Sequence, residues 1–132
     1  MKAMSLLVFP YRKDAKGDYY PVIPIALISG NKKREYFALI DSGATISIFR
    51  PEVSESLGII IEKGKEVYLG GVGGRIKGFI HNVKIEIAGK TFTCPVVFSN
   101  EYYVSLNLLG RSEFFERFKI TFEEKKRQVK LE

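Results

Sequence analysis

One aspartate lies between two apolar segments and is the first candidate for chemistry. Residues 37–49 read FALIDSGATISIF, so Asp41, Ser42 and Gly43 are flanked by Leu, Ile and Phe. An ionised carboxylate in such surroundings is unfavourable unless it is hydrogen-bonded, shares a proton or takes part in a reaction. The pattern therefore makes Asp41 a candidate for acid–base chemistry. Asp-Ser/Thr-Gly alone is a weak signal, because it also arises by chance.

The composition argues against other common catalytic and metal-binding arrangements. Cys94 is the only cysteine and His81 the only histidine of the 132 residues. A Cys-His pair, a Ser-His pair and a structural zinc site therefore have little support, and we expect no metal and no cofactor. A single cysteine excludes an internal disulfide and favours a reducing compartment. Cys94 precedes Pro95 in an apolar run, which indicates a buried structural thiol.

A second unusual stretch is rich in glycine. Gly70, Gly71, Gly73 and Gly74 surround Val72. Each glycine loses backbone entropy on folding and contributes no packing, so the stretch predicts the mobile tip of a hairpin. A phosphate-binding loop would end in Gly-Lys-Ser/Thr ahead of a helix, whereas strand-like sequence follows here. A nucleotide site is therefore disfavoured.

The elements that must position these stretches are predicted to be mainly strands. Apolar and alternating segments bounded by turn residues predict a first hairpin from 5–12 and 20–29, a strand at 34–40 that ends at Asp41, a hairpin from 79–87 and 91–98, and a terminal hairpin from 119–123 and 128–132. Segments 51–57 and 111–117 predict short helices. The expected fold is all-β with one or two short helices, and residues 1–132 are expected to form one domain.

Charge and hydropathy make a nucleic-acid or membrane partner unexpected. The net charge is +6, and the basic residues cluster only at 32–34 and 125–127, both in predicted turns. No aromatic residues interleave with them as base stacking would require, so both clusters are interpreted as solvated loops. No apolar run approaches 18 residues, and residues 1–9 are too short for a secretory signal. We expect a soluble, cytoplasmic protein.

Three motifs, taken in order, resemble the retroviral-like aspartic proteases, or retropepsins. They are Asp-Ser-Gly-Ala at 41–44, the glycine-rich stretch at 70–74, and Leu-Leu-Gly-Arg at 108–111 before a short helix. The family has Asp-Thr/Ser-Gly-Ala at a strand end, a Gly-Gly-Ile/Val-Gly-Gly flap, and two apolar residues plus Gly-Arg before its helix. The resemblance covers roughly residues 20–122. It implies a closed β-barrel of the acid-protease type with a glycine-rich flap hairpin.

The function that this resemblance implies is an aspartic endopeptidase acting on extended peptides with apolar side chains at the scissile bond. Hydrolysis by carboxylates needs two of them sharing a proton. Asp14, Asp18 and Asp41 are the only aspartates, and the first two lie in a predicted turn. The second carboxylate must then come from another copy, so the implied active form is a homodimer with Asp41 of each subunit at the two-fold axis.

The resemblance also assigns roles to individual residues. Asp41 would be the general acid and base, Ser42 would brace the two loops across the dimer, and Gly43 would admit backbone close to the carboxylates and substrate. The flap would close over the substrate and exclude water. The residues implied for substrate binding are Ala44, Ile48, Leu69, Gly70, Gly71, Val72, Gly73, Gly74, Ile76, Leu106 and Leu108.

The chain departs from the family pattern in two places. Thr45 stands where the retroviral enzymes usually have an aspartate that pairs with an arginine like Arg111, so Arg111 needs another acceptor. The chain also has 40 residues before Asp41 and 22 after Gly110, more than in the viral enzymes, whose termini interleave in the dimer. The terminal hairpin at 119–132 is an alternative dimer sheet.

Ala44 bears on the pH dependence. In aspartic proteases with serine or threonine after the glycine, that hydroxyl can hydrogen-bond the carboxylates and favour their ionisation. Alanine cannot, so we expect an optimum nearer weakly acidic or neutral pH than strongly acidic pH.

Three other interpretations of the sequence stay open. A non-catalytic retropepsin-like module that dimerises and binds peptides would carry the same motifs, because cleavage depends on dyad geometry that motifs do not report. Asp41 capping an Asx-type turn in a non-enzymatic barrel is the second. A basic nucleic-acid-binding barrel is the third, and it predicts strongly salt-dependent binding.

Overall fold

The computed structural model describes residues 6–71 and 74–132, most of which lie in strands. In chain order the elements are β1 (Leu7–Pro10), β2 (Arg12–Lys13), β3 (Tyr19–Tyr20), β4 (Val22–Ser29), β5 (Lys32–Ile40), β6 (Ser47–Phe49), α1 (Pro51–Ser56), β7 (Lys65–Gly71), β8 (Gly74–Ile87), β9 (Lys90–Phe98), β10 (Asn107–Leu109), α2 (Phe114–Arg117), β11 (Ile120–Glu123) and β12 (Gln128–Leu131). Short 3₁₀ turns span Ile61–Lys63 and Glu124–Lys126. The predicted mostly-β character with two short helices is confirmed. Within the described residues, no helix has the length and apolar character needed to cross a bilayer.

The main sheet has seven strands in the order β4-β5-β10-β6-β9-β8-β7, and β4 also pairs with β8. β10 runs parallel to β5, with Leu109 opposite Ile40, and antiparallel to β6. Neighbouring parallel strands end at the same edge of a sheet. The residues that directly follow β5 and β10, Asp41 and Gly110, are therefore brought together.

Strand β5 has a buried and an exposed face. Ala38 and Ile40 are buried, whereas Phe37 and Leu39 are at least partly exposed. This alternation follows from the period of two along a strand. Asp41, the next residue in the alternation, shares the outer face with Phe37 and Leu39. The buried face packs into a core whose fully buried members include Ile23, Leu27, Phe49, Ile85, Phe98, Leu109 and Phe114.

The predicted first hairpin forms only at its tip, where β2 pairs with β3 and Arg12 lies opposite Tyr20. The pairing predicted for the rest of the two segments is wrong. Strand β1 pairs with the C-terminal strand β12, with Phe9 opposite Val129, and β11 completes a three-stranded sheet. Strand β4 pairs instead with β5 and β8. The reason is burial, since Val129 and Leu131 of β12 are covered in this arrangement and Phe9 packs against the core. The predicted terminal hairpin is confirmed as β11 and β12.

Candidate active site

Asp41 lies in a tight turn directly after β5. Its N–H donates to the Leu109 carbonyl oxygen at 2.9 Å, which extends the β5–β10 pairing by one residue. Its Oδ1 accepts from the Gly43 N–H at 2.9 Å, and its carbonyl oxygen accepts from the Ala44 N–H at 3.2 Å. These bonds form an Asx-type turn that holds the half-buried carboxylate in one orientation. Ser42 lies exposed at the tip of this turn.

Gly110 lies where the segment after β10 crosses the segment before β6. A Cβ at position 110 would lie 2.4 to 2.8 Å from backbone atoms of Ile46, so only glycine fits. The Gly110 N–H donates to the buried Ser47 Oγ at 3.0 Å, and the Arg111 N–H donates to the Ala44 carbonyl oxygen at 2.9 Å. This crossing fixes the backbone on the C-terminal side of the Asp41 turn.

Arg111 has the alternative acceptor that the sequence required. Its Nη2 donates to the Thr45 Oγ1 at 3.4 Å. The residue that replaces the family's aspartate thus still contacts the arginine, through an exposed hydroxyl instead of a carboxylate. The contact is neutral on the threonine side, so we expect it to be weaker than a charged pair.

Asn107 is a buried polar residue whose role the sequence analysis missed. Its Nδ2 donates to the Phe37 carbonyl oxygen at 3.1 Å, and its Oδ1 accepts from the Arg50 N–H at 2.9 Å. One side chain thereby links β5, β10 and the residue before α1. The available signal was a single amide within the apolar run 106–109.

Six of the residues predicted to bind substrate line one cavity of about 320 Å³. They are Ile48, Leu69, Gly70, Gly71, Gly74 and Ile76. We call this space the cleft cavity. Leu108 pairs with Ile48 in the sheet, whereas Leu106 lines a different cavity. Val72 and Gly73 lie outside the described residues.

Part of the cleft cavity is lined by a two-stranded ribbon. Strands β7 and β8 pair from Lys65 and Ile80 to Gly71 and Gly74, whereas the pairing of β8 with β9 begins only at Phe79. A Cβ at Gly70, Gly71 or Gly74 would meet no described atom within 4 Å. A side chain at any of these three glycines would therefore lie in open space, as far as the described residues show.

The loop before β10 supplies cavity residues that the sequence analysis also missed, namely Glu101, Tyr102, Tyr103 and Val104. The Tyr102 hydroxyl donates to the Leu106 carbonyl oxygen at 2.6 Å. Burial raises the pKa of Tyr102 to about 12, so its hydroxyl stays protonated and can donate at alkaline pH where an exposed tyrosine ionises. Tyr103 is 88% exposed. The signal for this loop was a pair of tyrosines in a turn beside the β10 motif.

The remaining candidate groups have structural surroundings. Cys94 is fully buried, as predicted, and burial raises the pKa of its thiol to about 11. The His81 Nε2 lies 2.8 Å from the Ile61 carbonyl oxygen. Across residues 6–71 and 74–132, no group of three or more His, Cys, Asp or Glu side chains is arranged to hold a metal.

Comparison with known proteins places this geometry in a family. The family model for aspartyl protease matches residues 26–112, well over half of the chain. No curated protein sequence matches it.

Among solved structures, a retropepsin-like aspartic protease from Rickettsia conorii is 19% identical to this chain, with a TM-score of 0.68. The match covers 98% of this chain and 100% of the Rickettsia chain. The EIAV protease complexed with the inhibitor HBY-793 is 21% identical with a TM-score of 0.55, over 70% of this chain and 82% of that chain. Both likenesses concern the fold. With the family match, they show that the chain belongs to the aspartyl protease family and has the retropepsin-like fold.

Proposed function

We propose that this chain is an aspartic endopeptidase that cleaves extended peptide segments with apolar side chains at the scissile bond. The observation that carries the proposal is the Asp41 turn, which is held by the β5–β10 pairing on one side and by the Gly110 crossing on the other. Such a turn presents a carboxylate on a rigid support, as acid–base catalysis requires. The mainly apolar side chains of the cleft cavity support the preference for apolar side chains.

The reaction requires a second carboxylate, and we propose that Asp41 of a second copy supplies it. Asp14 and Asp18 lie in the turn between β2 and β3, where the Asp14 Oδ1 accepts from the Lys16 and Asp18 N–H groups. In the homodimer the two Asp41 carboxylates would share one proton. Two carboxyl groups this close do not both ionise, because the two negative charges would repel each other. The ionised copy takes a proton from water while the protonated copy donates to the carbonyl oxygen of the substrate.

The other predicted roles complete the mechanism. Ser42 braces the two turns across the dimer axis, and Gly43 admits the substrate backbone close to the carboxylates. The β7–β8 ribbon acts as the flap that closes over the peptide and excludes water. The peptide binds as an added strand, so hydrogen bonds to its backbone provide affinity and the fit of its side chains provides specificity.

The proposal includes the architecture of the active protein. The pairing of β4 with β8 supports a sheet that closes into a barrel within a single domain. The sheet of β1, β12 and β11 is the candidate for the dimer contact. The single buried thiol of Cys94 supports a cytoplasmic location, and we propose no nucleic-acid or membrane partner.

The first experiment measures cleavage of unfolded casein between about pH 3 and about pH 8, with the wild type beside Asp41→Asn. We expect a loss of about a thousandfold in the variant, because an amide neither takes nor gives the proton. The amide oxygen can still accept from Gly43, so the fold should persist. Asp18→Asn, in an exposed turn, is the matched control and should cleave as the wild type does.

Dilution tests the homodimer, because the rate per subunit should fall as dimers dissociate. Activity confined below about pH 3 would contradict the expectation from Ala44 of a weakly acidic or neutral optimum. If wild type and variant both form folded dimers and neither cleaves, the non-catalytic peptide-binding module becomes the better interpretation.

A further inference from the structure

The ribbon leaves the main sheet where strand β9 ends. Phe98, the last residue of β9, pairs with Phe79, whereas β8 extends further toward the tip of the ribbon. A Cβ at Gly78 would lie 2.6 Å from the Val97 Cγ1, so the two strands are packed closely at this point. The backbone groups of Lys77, two residues nearer the tip than Phe79, need partners other than β9.

The segment that follows β9 supplies partners for both backbone groups of Lys77. The Lys77 N–H donates to the Glu101 Oε1 at 3.1 Å, and the Lys77 carbonyl oxygen accepts from the Ser99 Oγ. The Glu101 N–H donates in turn to the Ser99 Oγ at 3.0 Å. These three hydrogen bonds form a closed cycle, which we call the Lys77 cycle. Its bond to a carboxylate is expected to be stronger than its bonds between neutral groups.

The Lys77 cycle is connected to both strands of the ribbon and to the protein interior. The Lys77 Nζ lies 3.0 Å from the Glu66 Oε1, which belongs to the other ribbon strand, β7. Ser99 is fully buried, whereas Glu101 is exposed. The base of the ribbon is thus joined, through one lysine, to a buried serine at the end of β9.

The same cycle joins two walls of the cleft cavity. The ribbon contributes residues 69–71, 74 and 76 to one wall, and the loop 101–104 forms the other. Glu101 belongs to the loop wall, and its carboxylate binds the backbone of the ribbon wall. Leu69 and Ile76 of the ribbon also pack in one apolar cluster with Tyr102 of the loop. The hydrogen bond to Glu101 therefore lies where it can set the separation of the two walls.

We propose that Glu101 is a positioning residue of the peptide cleft. By accepting the Lys77 N–H, it holds the base of the ribbon at a fixed distance from the loop 101–104. Glu101 acts through Lys77 and takes no part in proton transfer. Because the base of the ribbon is ordered before a peptide arrives, less conformational entropy is lost on binding. The inference rests on the proposed endopeptidase function and adds to it the contact that positions the ribbon.

Hydrogen exchange of the Lys77 amide, followed by NMR in the full chain without substrate, tests the contact itself. Glu101→Gln keeps an oxygen at the same reach but removes the charge, whereas Glu101→Asp keeps the charge on a side chain one methylene shorter. We expect the amide to exchange about tenfold faster in Glu101→Ala and in Glu101→Asp than in the wild type. Glu101→Gln should stay nearer the wild type than Glu101→Asp does. Equal exchange in all four proteins overturns the proposal, as does wild-type exchange in Glu101→Asp alone.

Steady-state cleavage of casein peptides gives the functional readout. Glu101→Ala should raise KM about tenfold and change kcat less than about twofold, because the lost contact acts before and during the reaction alike. Glu101→Gln should restore most of the wild-type KM. A fall in kcat at unchanged KM overturns the positioning role.

Glu55→Ala is the matched control for both measurements. Glu55 is an exposed glutamate of α1 and lies outside the residues that line the cleft cavity. This variant should keep the wild-type KM, kcat and Lys77 exchange rate. A tenfold rise in KM in this control would show that loss of any surface carboxylate has the same effect, and would overturn the assignment to Glu101.

A binding measurement separates this inference from the proposed activity. The Asp41→Asn protein, with and without Glu101→Ala, is titrated into fluorescein-labelled unfolded casein and followed by fluorescence anisotropy. We expect Glu101→Ala to raise Kd about tenfold. If this holds and the wild type cleaves nothing, the positioning role stands and the endopeptidase proposal fails. Equal Kd values overturn the positioning role even if the wild type cleaves casein. If the Asp41→Asn protein binds no casein, the exchange comparison alone decides whether Glu101 holds the ribbon.

Discussion

At Gly110 a Cβ atom would lie 2.4 Å from the backbone of Ile46, whereas at Gly70 and Gly71 it would meet no described atom within 4 Å. The first glycine is required by the packing of the chain against itself. The other two have no such requirement in the described structure, although both belong to a strand, where glycine is unfavourable. The comparison teaches that one glycine motif supports the candidate carboxylate, while the other leaves room for something outside the chain. In the proposed function, that is the substrate.

The largest expected effect comes from Gly110→Ala. The added methyl group would collide with backbone atoms, which cannot move away as a flexible side chain can. We expect a loss of about 3 kcal/mol or more in the free energy of unfolding, or no folded protein at all. Urea unfolding followed by circular dichroism measures it. A change below about 0.5 kcal/mol would show that the crossing tolerates a side chain.

Ser47→Ala tests the same crossing by removing a hydrogen bond. The Ser47 Oγ is buried and accepts from the Gly110 N–H at 3.0 Å, so the variant leaves a buried donor without its partner. We expect a loss of about 2 kcal/mol in the free energy of unfolding. Ser105→Ala, at an exposed position, is the control and should change it by less than about 0.5 kcal/mol. Equal effects of the two variants would contradict the importance of this bond.

Alkaline pH tests the packing around Cys94, which lies on β9 beside β6. Burial raises the pKa of its thiol to about 11, above the value near 9 of an exposed thiol. The stability that burial of the neutral thiol contributes is therefore fully present below about pH 9. It is lost between about pH 9 and about pH 11, because the thiol ionises in the unfolded chain before it ionises in the folded protein. We expect the free energy of unfolding to fall by about 1 kcal/mol between about pH 8 and about pH 10.

Cys94→Ala should be less stable than the wild type at neutral pH but should lose this part of the slope, so the difference narrows as the pH rises. The pKa values of Tyr11 and Tyr102 are also raised, to about 12, and the hydrogen bond and charge of Glu66 raise the pKa of Lys77, so the slope that remains above about pH 10 includes these three groups. A slope unchanged by Cys94→Ala would show that the thiol is accessible in the folded protein.

The smallest expected effect on stability comes from Gly70→Ala in the ribbon. The added methyl group has open space, and alanine restricts the unfolded chain, so the free energy of unfolding should change by less than about 1 kcal/mol. If the substrate approaches this backbone closely, kcat/KM for casein peptides should nevertheless fall about tenfold. Full activity together with full stability would show that no close approach occurs at this glycine.

Local chemistry in the sequence was sufficient for several features. The apolar run before Asp41 predicted a strand that ends at the acid, and Pro51 predicted the start of α1. The alternation before Ala88 predicted β8, and the order of the three glycine-containing motifs indicated the family. These features depend on neighbouring residues, because strand period, turn chemistry and helix initiation are properties of short segments.

Tertiary structure was needed for the features that join distant segments. Strand β1 pairs with β12, where Val129 and Leu131 are buried. The apolar character of a strand predicts that it will be buried but does not predict which strand it will pair with. Arg12 came to lie over Phe37 by the folding of the β2–β3 hairpin, and Asn107 became a link between strands through contacts 57 and 70 residues away. Contacts at such separations leave no periodic signal in the sequence. The candidate carboxylate could therefore be predicted from neighbouring residues, whereas the loop that joins the ribbon in lining the cleft cavity could be found only in the folded chain.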